Sequence, residues 1–270
     1  MTTFNTVSLG LSNDQLFRAA PSIFAEAPAA SRSDKYCFIP TIGAINALRQ
    51  EGFFPVKAQQ TRSRTPDGRE FARHVVRLRR GSDMRSPVNV GDSVPEIVLM
   101  NSHDGTSSYT LSAGVFRLVC SNGMVVADSE VGSIRVRHKG NILDDVIEGS
   151  YRIIEQSGAV FGRIEQFQQL ALPAPVQEAF ADAALTLKWD DGKAPVTGRD
   201  LLRARRHADD KNDLWTVYNR VQENLIKGGL YGRNANNRPT TTRPIKSIGE
   251  DIRVNKALWT LTEAMAKLVA

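Results

Sequence analysis

Cysteine is almost missing from this 270-residue chain: Cys37 and Cys120 are the whole supply, with no Cys-x-x-Cys pair and no Cys/His cluster. That scarcity argues against a structural zinc site and suits a reducing compartment. No apolar run approaches the roughly 20 residues of a membrane helix. The opening MTTFNTVSLGLSNDQLF has neither the basic start nor the apolar core of a signal peptide, so a soluble, cytoplasmic protein without a membrane partner is expected. Aromatics are few at 7%, yet 41% hydrophobic and 24% charged residues are ordinary globular proportions and exclude wholesale disorder or a collagen-like class. There is no internal repeat and no heptad run. The glycines of Gly228-Gly229-Leu230-Tyr231-Gly232 follow a helical pattern and lack a Gly-Lys-Ser/Thr ending, so they do not form a nucleotide-hydrolysing loop. No cofactor is implied.

What is present is positive charge. A net +6 and a pI near 9.5 favour a polyanionic partner. The charge is also patterned. Between Asn101 and Asn141, two β-branched runs, Gly114–Ala127 and Val131–His138, alternate with Gly/Asn/Ser/Asp clusters in the manner of strands and tight turns. In the second run Ser133, Arg135, Arg137 and Lys139 share one parity and Ile134, Val136 and His138 the other. A strand has a period of two, which predicts one apolar and one cationic face. Arg117 stands between Val115 and Val119 in the same way. In FARHVVRLRR, Arg73, Arg77 and Arg79 alternate with Ala72, Val76 and Leu78.

Taken in order, residues 1–40 read as an irregular, partly helical segment, with Ser12 or Asn13 capping a short helix that breaks near Pro21. Residues 41–141 read as mainly sheet, preceded by a helix with Thr41 as its N-cap and ended by Gly52. Val56–Thr61 and Phe71–Arg80 form a hairpin about a Pro66-Asp67-Gly68 turn, and a further strand runs through Val94–Met100. Residues 142–270 read as helical: one long helix weakened at Gly149 and Gly158, then Pro175–Leu187, Thr197–Arg206, Asp213–Lys227 and Asp251–Leu268. Residues 228–248 hold Arg233, Arg238, Arg243 and Lys246 without one carboxylate, and their Gly/Asn/Thr/Pro content predicts a mobile basic loop. The fold class expected is α+β: an antiparallel sheet of about five strands in the first half, packed on one face by helices of the second, as one integrated domain.

Several of these stretches carry a resemblance. FRLVCSNGMVV (Phe116–Val126), IRVRHKGN (Ile134–Asn141), ENLIKGGL (Glu223–Leu230), TRPI (Thr242–Ile245) and DIRVNKALWTLTEAM (Asp251–Met265) resemble, in order, a bacterial family of unknown function described as "phage/plasmid-like protein". The likeness spans most of the chain from about Ala44. It implies a mobile-element context, with a role in conjugation, repair, recombination or anti-defence, and supplies no catalytic residue.

The functional reading that follows is nucleic-acid binding, with single-stranded DNA favoured, for annealing, protection or transfer, and with a second copy of the chain as a further candidate partner in a homo-oligomer. The phosphate-contacting set is Arg73, Arg77, Arg79, Arg117, Arg135, Arg137 and Lys139 on the sheet, with Arg233, Arg238, Arg243 and Lys246 on the loop. Base stacking wants an aromatic beside them, and Tyr109 and Tyr231 are the candidates. Trp215 and Trp259 fall on apolar helix faces and belong to a core. His207, beside Arg205 and Arg206, reads first as a solvated helix end and second as a phosphate contact. Other classes remain: a host-interaction or anti-defence protein binding an acid-rich partner through the same cations, or an enzyme using Cys120 with His103 or His138 as base. Cys120 shares parity with Phe116 and Leu118, which turns it toward the core. For a metal, His103/Asp104/Asp128 offers one nitrogen ligand and Asp144/Asp145/Glu148 is an acidic first helical turn, so neither set has the ligand count of a closed site.

Overall fold

The computed structural model describes residues 10–32, 38–63, 66–85, 93–117, 123–125, 133–135 and 142–270. In chain order the first half contains α1 (Asn13–Ala19), a 3-10 turn (Pro21–Phe24), α2 (Thr41–Gln50), β1 (Phe53–Gln60), α3 (Pro66–Phe71) and β2 (His74–Arg80). Then come α4 (Gly81–Arg85), β3 (Ser93–Asn101), β4 (Thr110–Arg117), β5 (Gly123–Val125) and β6 (Ile134–Arg135). The second half holds α5 (Ile142–Gln169), α6 (Ala174–Leu185), α7 (Gly198–Leu201), a 3-10 turn (His207–Asp209) and α8 (Leu214–Lys227). It closes with β7 (Tyr231–Arg233), β8 (Pro239–Thr241) and α9 (Ile248–Val269). The α+β class therefore holds, with an antiparallel sheet in the first half and helices in the second. Among the described residues no helix is long and apolar enough to cross a membrane. The chain gathers into two compact units, Met1–Phe116 with Gly132–Gln156, and Arg117–Val131 with Ser157–Ala270.

In the first unit the strands run in the order β1-β2-β3-β4, and β6 also pairs with β4. β1 and β2 form the expected hairpin, from Phe53↔Arg80 to Gln60↔His74, with a bulge between Pro55 and Lys57. The Pro66-Asp67-Gly68 segment is not a simple turn: it winds into α3, as suits a proline at the first helical position. The strands bury Val76, Leu78, Ile97, Leu99 and Leu111 completely. α5 comes close enough at Gly149 that an added Cβ would stand 3.0 Å from Leu111 and 3.5 Å from Ile134. Ser12 caps α1 through a reciprocal pair with Gln15 at 2.8 and 3.2 Å.

Thr41 does not cap α2. Pro40 holds that position without a side-chain bond, because the Thr41 hydroxyl is engaged in a buried polar cluster. His74 Nε2 lies 2.9 Å from Thr41 Oγ1, and Asn101 Nδ2 donates to the same oxygen at 3.1 Å. His74 Nδ1 sits 3.1 Å from the Ala72 carbonyl and 2.9 Å from Ser22 Oγ. A carbonyl only accepts, which puts the ring proton on Nδ1 and makes Nε2 the acceptor of the Thr41 hydroxyl. The His103 ring lies 5.2 Å from that of His74, and its Nδ1 finds no hydrogen-bond partner among the described residues. Burial lowers His74 to about 3, with His103 adding repulsion. Burial lowers His103 to about 4, against the Ser22 backbone and Asp104.

The second unit is built around α8, whose residues from Leu214 to Leu225 are all buried. Asp213 caps it, accepting from the Thr216 amide at 2.8 Å. Trp215 stacks on Tyr218 at 5.3 Å, and Trp259 of α9 meets Tyr218 edge-on at 6.1 Å and Phe167 of α5 at 5.7 Å. Both tryptophans are thus core residues, 3% and 0% exposed. α5 is one continuous 28-residue helix despite Gly149 and Gly158. The expected helix over Thr197–Arg206 is only the four residues of α7.

The buried histidines generate a pH dependence. Both are lowered from about 6.5, so below that pH the unfolded chain takes up protons that the folded chain refuses. Stability is full above about 6.5 and falls as the pH drops toward 4. Urea unfolding at pH 5 should give a stability on the order of 4 kcal/mol below that at pH 7.5, at about 1.4 kcal/mol per proton and pH unit. An unchanged midpoint would contradict a neutral buried pair.

Candidate nucleic-acid interface

The cations chosen from the sequence divide into two groups. Arg77 and Arg79 do not face solvent. Arg77 is 6% exposed and donates to Glu96 Oε2 at 3.0 Å, while Arg79 donates to Glu96 Oε1 at 2.8 Å. Arg79 also lies over the Phe116 ring, 3.8 Å from its centroid. The cause is two-sided burial: Val75 and Val98 are covered as well as Val76 and Leu78, so alternation along β2 separates two interior faces. The sign of this was Glu96 itself, an acid inside the apolar run SVPEIVLM. Arg73 donates to the Thr106 carbonyl at 2.7 Å and is half-buried. Arg117 is 5% exposed and bound to Asp209 at 2.7 Å. Arg135 is exposed on β6. Arg137 and Lys139 lie outside the described residues, as do Cys120, His138 and Asp128.

The second group is Arg233, Arg238, Arg243 and Lys246, all exposed. They do not stand on a featureless loop. β7 and β8 pair antiparallel, Tyr231↔Thr241, Gly232↔Thr240 and Arg233↔Pro239. The connection is a turn built by asparagines. Asn237 N donates to the Asn234 carbonyl at 2.8 Å, and Asn234 Oδ1 accepts from the amides of Asn236 and Arg238 at 3.0 Å each. Asn237 takes φ 57°, a left-handed conformation asparagine tolerates better than most side chains. Composition hid this hairpin because three-residue strands show no hydrophobic alternation, although Asn-Ala-Asn-Asn was a readable turn signal.

One face of the hairpin is seated and the other is open. Gly232 lies so near Pro195 that an added Cβ would stand 1.9 Å from its carbonyl, and Arg233 N donates to the same oxygen at 2.8 Å. On the open side are Tyr231, Arg233, Pro239 and Thr241, with Tyr231 83% exposed. Tyr231 and Arg233 are two residues apart on one strand and so share a face. Of the two stacking candidates, Tyr109 is completely buried and Tyr231 is not. Arg233 uses Nη1 on the Asn237 carbonyl at 2.8 Å, which holds the guanidinium and leaves other donors outward.

The hairpin base is tied to the end of α8. Gly228 ends that helix at φ 61°, with room for no side chain: a Cβ would meet the Thr242 carbonyl at 2.6 Å. Lys188 Nζ donates to the carbonyls of Leu225 at 2.6 Å and Arg243 at 2.7 Å, and burial lowers it to about 8. His207 and Arg205 are exposed, as a solvated segment requires, but Arg205 and Arg206 are also engaged. Arg205 donates to Asn224 Oδ1 at 2.7 Å and to the Gly228 carbonyl. Arg206 bridges Asp209, at 2.6 Å, and Glu223, which Lys227 also reaches at 2.8 Å.

Among the described residues no three His, Cys, Asp or Glu side chains gather as a metal site. Asp104 is spent on a turn, accepting from the Thr106 hydroxyl at 2.6 Å and amide at 2.9 Å.

A family model described as a domain of unknown function (DUF932) matches residues 28–259. The chain is 47% identical over 259 residues to the UPF0380 protein YfjQ of Escherichia coli (strain K12), covering 94% of this chain and 91% of that protein. UPF0380 protein YafZ of the same organism is 47% identical over the same extent. No solved structure matches.

The sorting of the cations has a measurable consequence. Glu96→Gln strands two guanidinium groups away from water and should lower stability by about 3–5 kcal/mol in urea unfolding. Arg238→Ala, on the open hairpin, should change it by no more than about 0.5 kcal/mol. Equal, small effects at both positions would mean that Glu96 does not neutralise the sheet arginines.

Proposed function

We propose that this chain, which belongs to the family described as the domain of unknown function DUF932, binds single-stranded nucleic acid through the β7–β8 hairpin. Single-stranded DNA is the favoured substrate, and the setting proposed is a cytoplasmic role for a plasmid or phage in annealing, protecting or transferring strands. The observation that carries this reading is Tyr231, 83% exposed and two positions from Arg233 on the same face of a seated strand. A large aromatic ring held in water beside a guanidinium serves no core. It offers a flat apolar surface to a base while the arginine meets the adjoining phosphate.

Electrostatics supports the same surface. Residues 228–248 contain four cations and no carboxylate, whereas Arg77, Arg79, Arg117 and Arg206 are all bound to acids. The proposed contact set is therefore Tyr231 for stacking with Arg233, Arg238, Arg243 and Lys246 for phosphates. Arg135 belongs to the other unit and is not assigned to this surface. Hairpin recognition reads shape and charge, and it explains binding without any helix fitted to the major groove.

Fluorescence anisotropy with labelled single-stranded DNA, duplex DNA and RNA tests the proposal. Four phosphate contacts on a single strand give a slope of log affinity on log salt of about −3, at roughly −0.7 per contact. Arg233→Ala should reduce that slope by about 0.7. Tyr231→Ala should weaken binding by about 1–3 kcal/mol with the slope unchanged. Absence of binding to all three probes at low salt, or binding indifferent to both substitutions, would refute it.

A further inference from the structure

Within the first unit, Phe17 of α1, Phe24 of the 3-10 turn and Phe71 of α3 line a cavity of about 380 Å³ together with Glu26 and Glu70. Its size falls in the range of small-ligand pockets, about 300–1,000 Å³. Phe17 is 54% exposed although it stands on a helix whose Leu16 is fully buried. Phe17 and Phe24 meet edge-on at 5.6 Å. The two carboxylates make no ion pair with any described residue, and both are exposed. The wall thus combines three aromatic rings with two negative charges that no described residue pairs.

That combination selects by chemistry. An anion is repelled by Glu26 and Glu70. A bare divalent ion wants six or more oxygen ligands, and phenyl walls supply none. A neutral apolar molecule would bury the rings but leave the carboxylates facing it without a partner. An alkylammonium group uses everything present: its methyl or methylene groups lie on the rings, whose π-faces attract positive charge, and the carboxylates neutralise it. We infer that this cavity binds a small organic cation of the alkylammonium class, quaternary or primary. Nothing in the nucleic-acid reading depends on it, because the hairpin belongs to the other unit.

Titration calorimetry on the full chain, with choline as the probe, tests the inference. Its uncharged carbon isostere, bearing a tert-butyl group in place of trimethylammonium, isolates the charge. A blocked lysine dipeptide asks whether the same chemistry is met by a free molecule or by a protein side chain, and saturable binding of either cation supports the assignment. Glu26→Gln and Glu70→Gln should each weaken binding about three- to tenfold, and Phe17→Ala about fivefold. All three positions are exposed, so the variants should keep the fold, which circular dichroism checks. No saturable binding of either cation, equal binding of the uncharged isostere, or affinities unmoved by the three substitutions would overturn it.

Discussion

A guanidinium cannot leave water unaccompanied. The idealised penalty for carrying an ion into a protein interior is of order 20 kcal/mol, and several kcal/mol remain after relaxation. This chain carries many arginines, and that penalty decides which are structural. Glu96 is the acid that lets Arg77 and Arg79 stand inside a sheet covered on both faces. Asp209 and Glu223 do the same in the second unit for Arg117 and Arg206. Arg220 is the instructive variant: 7% exposed, it donates to Gln177 at 3.0 Å, and burial lowers its pKa against the pull of Asp210, Asp213 and Asp209. Once these pairs are made, residues 228–248 stand out among the described residues as a stretch with four exposed cations and no carboxylate of its own.

The same constraint explains what could be read from the sequence and what could not. Strands over β1, β2 and β3 were legible because β-branched runs between turn residues have few other uses. Their faces were not. Parity tells which side chains share a face, and it is silent on whether that face meets water or another layer. Arg73, Arg77 and Arg79 share a parity that reads as a solvent row, yet Glu96, two strand positions from Val98 on the partner strand, pairs with Arg77 and Arg79, and Arg73 donates to the Thr106 carbonyl. Thr41 misled in a related way. A threonine before a helical pattern is a good cap, but its hydroxyl was claimed by two histidines distant in sequence. The hairpin failed for lack of length, since three residues cannot display a period.

The helical half was read more accurately because its signals are local. α8 carries Leu214, Val217, Tyr218, Val221 and Leu225 at helical spacing, with Asp213 before it and Gly228 after it. What the pattern missed is that its polar side is buried too. Asn224 donates to the carbonyls of Leu201 and Arg203 at 2.8 and 2.9 Å, and Gln222 to Asn255 at 2.9 Å. Those side chains are not a solvent face: Asn224 satisfies carbonyls at and just after the end of α7, and Gln222 pairs with a buried side chain of α9.

The proposed recognition by the hairpin draws on how firmly its backbone is held. A long arginine on an irregular loop loses much of its contact energy to ordering when a ligand arrives. Here the ordering is done in advance. Gly228 turns the chain where no other residue fits, Lys188 bridges the carbonyls of Leu225 and Arg243, and Gly232 lets the strand lie against Pro195. At the tip, Asn234 closes the turn through its side chain and Asn237 holds Arg233 by its carbonyl. Lys188, Gly228, Gly232 and the Asn234 turn thus fix the backbone from which Tyr231 and its neighbouring cations project.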